Sequence, residues 1–157
     1  MFSLTRKPCP ILASRLFSEK SFYPTFVTDM REASTSIVIE SPFISQRRLD
    51  RLCPALDKAL RRGVRIVVNT RSPAEQDGLL RVQSEEGINI LQNMGILVLL
   101  TGGHHRKLAI IDGKILYEGS LNILSQNDSC EVMRRIESVD LARQMIEFTG
   151  LERWYTE

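Results

Sequence analysis

The stretch His105–Asn122 holds the side chains of this sequence that are best placed to do chemistry. The pattern predicts a strand over residues 105–111, on which positions two apart share a face at about 6.5 Å. The imidazole of His105 could attack or exchange a proton, and the ammonium of Lys107 could hold an anion. A solvent-facing strand can also carry such a pair without any function, so further residues must decide between these interpretations.

Two more polar residues are expected to return to the end of that strand. The pair Asp112-Gly113 is typical of a two-residue hairpin turn, and the chain turns again after the following strand. Ser120 and Asn122 would then lie beside Lys107 and give three donors around the oxygens of a phosphodiester. Preorganised donors of this kind stabilise negative charge that develops on phosphate oxygens.

The elements that must position these residues alternate between strands and helices. A β-branched run over 36–40 predicts a buried strand, and leucines at helical spacing predict a helix over 45–62. Because a strand–helix–strand unit makes parallel strands, we expect an α/β fold with a mixed, mostly parallel sheet flanked by helices. Further strands are expected over 64–70, 96–101, 114–118 and 131–136, and further helices over 21–33, 79–94 and 139–154, with a short helix beginning near Asn122 and with Leu141, Met145, Ile146 and Phe148 facing inward.

Length and composition are those of one globular domain. The chain has 157 residues, 43% of them hydrophobic and 25% charged, so its core needs no disulfide or metal. Arginine is found at 16 positions and lysine at five, which favours a phosphate-bearing partner or reflects a compositional bias. We interpret residues 1–20 as an N-terminal extension or linker and residues 21–157 as the domain.

Cysteine usage and hydropathy concern the compartment. Cys9, Cys53 and Cys130 are odd in number and lack metal-ligand spacing, which predicts free thiols in the cytoplasm. Cys53 and Cys130 lie in apolar patterns and are expected to be buried. No apolar run approaches the roughly 18 residues of a membrane span, so we expect no membrane partner.

The spacing of the polar residues resembles the signature of the phospholipase D superfamily, H-x-K-x4-D-x6-G-S-x-N. Every fixed position of the signature is filled, by His105, Lys107, Asp112, Gly119, Ser120 and Asn122. The predicted order of strands and helices before the motif is similar to one half of that family's fold. The chain most resembles single-motif nucleases and nuclease modules associated with helicases, over about residues 20–155.

The resemblance implies a specific chemistry. The family uses two signature motifs per site and this chain has one, so the site should form across the axis of a homodimer. One His105 would attack phosphorus to form a phosphohistidine, and the His105 of the second subunit would protonate the leaving oxygen and then activate water, without metal or other cofactor. Glu131 is the candidate for the acidic residue that bonds the opposite histidine, although an ordinary strand carboxylate is the alternative. Asp112 is expected to bond around its turn rather than to exchange protons.

The motif specifies phosphodiester chemistry and leaves the substrate open. A metal-independent nuclease acting on DNA or RNA is the first hypothesis, because the chain is short and carries paired arginines. The alternatives are a phospholipase or phosphatidyltransferase of the same superfamily, and a module that only binds nucleic acid or a helicase partner.

Overall fold

Seven strands and five α-helices form the described part of the computed structural model, residues 11–125 and 128–155. The strands are β1 (Ala13–Ser18), β2 (Ser36–Glu40), β3 (Arg65–Arg71), β4 (Leu97–Thr101), β5 (Leu108–Ile111), β6 (Ile115–Gly119) and β7 (Val132–Glu137). The helices are α1 (Phe22–Glu32), α2 (Gln46–Arg61), α3 (Gly78–Asn93), α4 (Val139–Thr149) and α5 (Glu152–Tyr155), and a 3-10 helix spans Pro73–Glu75. None of the helices in this part of the chain is long and apolar enough to cross a bilayer.

All seven strands belong to one sheet in the order β1-β7-β6-β5-β2-β3-β4. The α/β class and the mixed sheet flanked by helices are confirmed. The expectation that the sheet is mostly parallel is wrong, since only β2–β3 and β3–β4 pair in parallel, whereas β1–β7, β2–β5, β5–β6 and β6–β7 are antiparallel. After β4 the chain crosses to the other side of β2, and the connections from β5 to β7 are too short for parallel crossovers.

Strand β1 corrects the predicted domain boundary. Residues 13–18, which we assigned to an extension, pair with β7 from Ala13 opposite Glu137 to Ser18 opposite Val132. Only Phe17 of this edge strand is buried, so its apolar signal was too weak to mark it in the sequence. The domain therefore includes β1, and residues 1–10 lie outside the described residues.

Helices cover the two faces of the sheet unequally. Helices α1, α2 and α3 pack on one face over a large core that includes Phe26, Leu56 and Leu91, while α4 and α5 cover a smaller cluster around Ile110 and Ile146 on the other. The predicted single helix 139–154 is broken at a left-handed glycine, which ends α4. Leu141 and Met145 are partly buried as expected, but Phe148, predicted to face inward, is 81% exposed.

The chain around the motif is shaped by a hairpin and by a close approach of β7. Asp112 and Gly113 both have positive φ, as a type I′ turn requires, so the predicted hairpin turn is confirmed. Ile111 pairs with Ile115, so three residues rather than the predicted two connect the strands, and β6 begins one residue later than expected. A Cβ at Gly119 would lie 2.1 Å from the carbonyl oxygen of Val132, so only glycine fits there. The predicted strand at 105–107 and the short helix near Asn122 are wrong: β5 begins at Leu108, and residues 123–124 form a turn.

Candidate active site

His105 and Lys107 lie in the segment between β4 and β5, at the edge where β2, β3 and β4 end. Their side chains are on the same side, because Lys107 Nζ is 2.9 Å from His105 Nδ1 and 3.4 Å from Nε2. The ammonium also donates to the His105 carbonyl oxygen at 2.6 Å. An ammonium has no acceptor, so it donates to whichever ring nitrogen lacks a proton. The imidazole is exposed, and an incoming phosphate can therefore reach it.

Ser120 and Glu131 form a hydrogen-bonded pair next to this contact. The Ser120 hydroxyl donates to Glu131 Oε2 and accepts a 3.1 Å bond from the backbone N–H of Val132. Ser129 donates to the other carboxylate oxygen at 2.6 Å. The hydroxyl proton of Ser120 is thus engaged by the carboxylate, and the prediction that it donates to phosphate requires this bond to rearrange.

The charges of Lys107 and Glu131 support each other. The hydrogen bond from Ser120, followed by the bond from Ser129 and the charge of Lys107, lowers the pKa of Glu131. Partial burial lowers the pKa of Lys107, and the Glu131 carboxylate acts in the opposite direction. The two groups are therefore close enough to interact, and Glu131 is ionised at neutral pH, as a carboxylate that bonds an imidazole must be.

Asn122 follows Ser120 on the loop from β6 to β7. Its backbone oxygen accepts from the N–H of Ser125 at 3.0 Å, which closes a turn, and its side chain is half-buried. The motif order therefore brings His105, Lys107 and Ser120 to one edge and places Asn122 two residues beyond, with Glu131 against them.

Asp112 lies at the opposite end of β5 from His105. Its carboxylate accepts hydrogen bonds of 2.8–3.1 Å from the backbone N–H groups of Ser34, Thr35 and Ser36. It also accepts from the side-chain hydroxyls of Ser34 and Thr35. Burial raises the pKa of Asp112, but these donors outweigh it and bring the pKa to about 2. The residue ties the hairpin to the turn before β2 and takes no part in the site, which agrees with the structural role expected for it.

Two charged residues of this edge were missed in the sequence. Arg106 binds Glu40 with two bonds, Nε to Oε2 at 2.5 Å and Nη2 to Oε1 at 2.8 Å. Asn69 Nδ2 also donates to Glu40 Oε1 at 2.9 Å, and the Thr101 hydroxyl donates to Asn69 Oδ1 at 2.8 Å. Glu40 is fully buried, and a lone acidic residue ending an apolar strand was the signal that could have found it.

His104 directly precedes the motif, and its side chain is 3% exposed. Burial lowers its pKa, and the charges of Arg106, Lys107 and His105 add to this while Glu40 opposes it. His104 is therefore a neutral side chain packed behind the site.

A cleft of about 590 Å³ opens beside the motif. It is lined by the segment His105–Leu108 and by Glu118–Ser120 on one side and by Met145 and Phe148 of α4 on the other. Within the described residues, no three His, Cys, Asp or Glu side chains are grouped so that they could hold a metal ion.

Cys53 is half-buried and Cys130 is exposed, so the predicted burial of Cys130 is wrong. Cys9 lies outside the described residues.

Comparison with known proteins supports the motif. A family model described as "Cardiolipin synthase, PLD-like domain" matches residues 26–151. The chain belongs to this family of phospholipase D-like domains. The match covers the motif, the β-strands that carry it and Glu131. No curated protein matches the chain.

Solved structures show the same fold. The Nuc protein from Salmonella typhimurium, a phospholipase D family member, aligns with a TM-score of 0.72 at 19% identity over 91% of this chain and 95% of its own. NucT from Helicobacter pylori aligns with a TM-score of 0.71 at 20% identity over 91% and 96%. Phosphatidylserine synthase from Haemophilus influenzae aligns with a TM-score of 0.67 at 15% identity. That alignment covers 92% of this chain but 39% of the synthase. At these identities the likeness shows the fold alone.

Proposed function

We propose that this phospholipase D-like domain is a metal-independent phosphodiesterase that cuts nucleic acid. The observation that carries the proposal is the contact between Lys107 Nζ and the exposed ring of His105 at the mouth of the cleft. A phosphate drawn to the ammonium would be placed beside the imidazole. The loop from β6 to β7 carries the other candidate residues, which are Ser120, Asn122 and Glu131.

The proposed reaction has two displacements. A ring nitrogen of His105 attacks phosphorus, a P–N bond forms, and the P–O bond to the leaving group breaks. The second subunit's His105 gives its proton to the leaving oxygen. That second ring then removes a proton from water, whose oxygen forms a new P–O bond as the P–N bond breaks. Lys107 holds the charge on the non-bridging oxygens throughout.

A homodimer would supply the second histidine. Phe148 is 81% exposed on α4, beside Met145 in the wall of the cleft. An exposed aromatic side chain at this position is the kind of group that a two-fold partner covers. Packing α4 against a second copy would bury Phe148 and bring two cleft mouths together. In that arrangement Glu131 would reach the imidazole of the opposite chain and orient it.

Subunit mixing tests whether one site needs both histidines. After exchange with an equal amount of His105→Ala protein, random pairing leaves both histidines in about a quarter of the dimers, so activity per total protein should fall to about a quarter of the wild-type value. The Arg61→Gln protein, altered on the far end of α2, serves as the mixing control and should leave activity per total protein unchanged. A fall to only about half after mixing with His105→Ala would show that each chain acts alone.

Arginines near the motif favour nucleic acid as substrate. Helix α2 begins against the loop after the motif, since Ser45 N–H donates to Leu124 O at 2.9 Å and Arg48 Nε to Ser125 O at 3.4 Å. Arg47 and Arg51, on the same helix, are exposed. Cations at the start of a helix oppose its dipole, so stability does not explain them, and a phosphate backbone lying along this edge would.

Cleavage in EDTA tests the proposal directly. Single- and double-stranded DNA and RNA are incubated with wild-type protein and with His105→Ala protein. We expect wild-type protein to cut at least one of these polymers in EDTA and the variant to leave it intact. Acid-labile phosphate bound to His105 in a quenched reaction would identify the covalent intermediate, and absence of cleavage across pH 5–9 would reject the nuclease proposal.

A phosphatidyltransferase is the second candidate. The family description and the fold shared with phosphatidylserine synthase favour it, as does the apolar wall formed by Met145 and Phe148. Release of headgroup or phosphatidic acid from mixed phospholipid vesicles, with no cleavage of nucleic acid, would select this alternative.

A further inference from the structure

The guanidinium of Arg106 is held on one edge and open on the other. Its Nε donates to Glu40 Oε2, and its Nη2 donates to Glu40 Oε1. The side chain is 38% exposed, whereas that of Glu40 is 0% exposed, and Arg106 lines the same cleft as His105 and Lys107. Among the described residues, Nη1 makes no hydrogen bond, so the Nη1–Nη2 edge is directed away from Glu40. That edge is the planar fork that binds a phosphate with two bonds.

Arg106 leaves the chain on a different side from its neighbours. Residues 105 and 107 place their side chains in contact with each other, while the residue between them reaches Glu40 on β2. Arg106 is therefore not a third ligand of the phosphate that His105 would attack, and its open edge is available to another one.

Support behind the ion pair keeps the guanidinium in place. Glu40 also accepts from Asn69, and Asn69 accepts from Thr101, so the ends of β2, β3 and β4 are connected by one chain of hydrogen bonds. A buried ion pair adds little stability compared with apolar residues of similar size. The ion pair is better explained by its effect on the orientation of the Arg106 guanidinium. A side chain that is already held in place loses less conformational freedom when it binds a ligand.

We propose that Arg106 is a substrate-binding residue that holds a phosphate of the polynucleotide other than the one being cut. This rests on the proposed function and adds to it a preference for substrates with at least two consecutive phosphodiesters. A diester with a single phosphate would use the motif residues without the Arg106 edge.

Binding experiments separate this role from the cleavage chemistry. Affinity for a fluorescent single-stranded oligonucleotide is measured by anisotropy between 50 and 300 mM salt, in the His105→Ala background so that substrate is not consumed. We expect Arg106→Gln to weaken binding about tenfold and to lower the slope of log K against log salt by about one. Arg106→Lys should restore the slope but not the full affinity, since it keeps the charge and loses the fork.

Two controls exclude a purely structural effect. Arg61→Gln removes an equally charged side chain, paired with Asp57 at 2.9 Å, from the opposite end of the βαβ unit and should change affinity less than twofold. Glu40→Gln removes the anchor and the buried charge but leaves the Arg106 cation, so affinity should fall while the salt slope stays that of the parent. An unchanged affinity and slope in Arg106→Gln would overturn the proposal.

Activity on two substrates gives an independent readout. In otherwise wild-type protein, Arg106→Gln should reduce kcat/KM for an oligonucleotide several-fold more than kcat/KM for bis(p-nitrophenyl) phosphate, with the larger change in KM. Equal losses on both substrates, or a change only in dimer dissociation, would assign Arg106 to structure or to the partner subunit. Wild-type protein that cuts neither substrate would instead reject the proposed function, whatever the binding data show.

Discussion

The two ends of β5 carry residues of the same motif in very different surroundings. At one end, His105 is exposed, and its ring lies 2.9 Å from the ammonium of Lys107. At the other end, Asp112 accepts five donors from residues 34–36. One end is arranged to exchange partners and the other to keep them. A short signature therefore combines a reactive pair with the anchor of the strand that presents it.

The two ends of β5 differ in how much their side chains contribute to the stability of the fold. Donors that converge on one carboxylate lower its pKa and stabilise the folded state. An exposed imidazole bonded by one ammonium gains little in stability, and its lone pair is released when the ammonium binds a phosphate instead. We expect changes at the His105 end to affect rate with little effect on folding, and changes at the Asp112 end to do the reverse.

The largest expected effect is at the reactive end. His105→Ala should reduce kcat on an oligonucleotide by about 10⁴-fold or more, since loss of a nucleophile removes the covalent route. The free energy of unfolding in urea should change by less than about 0.5 kcal/mol because the ring is exposed. A variant that unfolds early, or that keeps wild-type turnover, would break the contrast between the two ends.

The exposed aromatic side chain beside the cleft tests how the reactive end is completed. Phe148→Asp should shift a homodimer to monomers in sedimentation velocity and lower activity about 100-fold at nanomolar protein, because charge at an apolar contact opposes association. Activity should partly return at high protein concentration. Leu79→Asp, on another exposed apolar residue, which lies on α3 and is 70% exposed, is the matched control and should leave both the sedimentation coefficient and the rate as they are in wild type.

The anchoring end should respond to pH. Because the folded pKa of Asp112 is about 2, below its ordinary value of 3.8, its stabilisation is present above about pH 4 and is lost as the pH falls towards 2. Asp112→Asn should reduce the free energy of unfolding by about 1–2 kcal/mol at pH 7, the lower value allowing for solvent screening. The difference between variant and wild type should shrink towards zero near pH 2, and a pH-independent difference would contradict this explanation.

The smallest expected effect is at Ser120. Ser120→Ala removes the donor to Glu131 and one acceptor for Val132 N–H. We expect kcat to fall about 3- to 10-fold, in line with the loss of one or two hydrogen bonds. Ser129→Ala removes the other donor to Glu131 and is the control. If Ser120 acts only by holding the Glu131 carboxylate, the two variants should lower kcat by similar factors. A loss as large as that of His105→Ala would instead place Ser120 directly on the reacting phosphate.

Local sequence was enough to predict the motif and most of its supporting elements. Strand β2 and the type I′ turn at Asp112-Gly113 follow from β-branched residues and from the positive φ that the turn requires. Such features depend on neighbours in the chain, which the sequence shows directly. The same reasoning predicted the α/β class and a mixed sheet with helices on its faces.

Tertiary structure alone decided what lies beside the motif. The pairing of β1 with β7 and the bond between Arg106 and Glu40 join residues 66 or more positions apart, and no local pattern encodes such contacts. The exposure of Phe148 likewise depends on where α4 packs and where Gly150 ends it. Sequence determined which side chains could react, and the packing of distant strands determined which charges surround them.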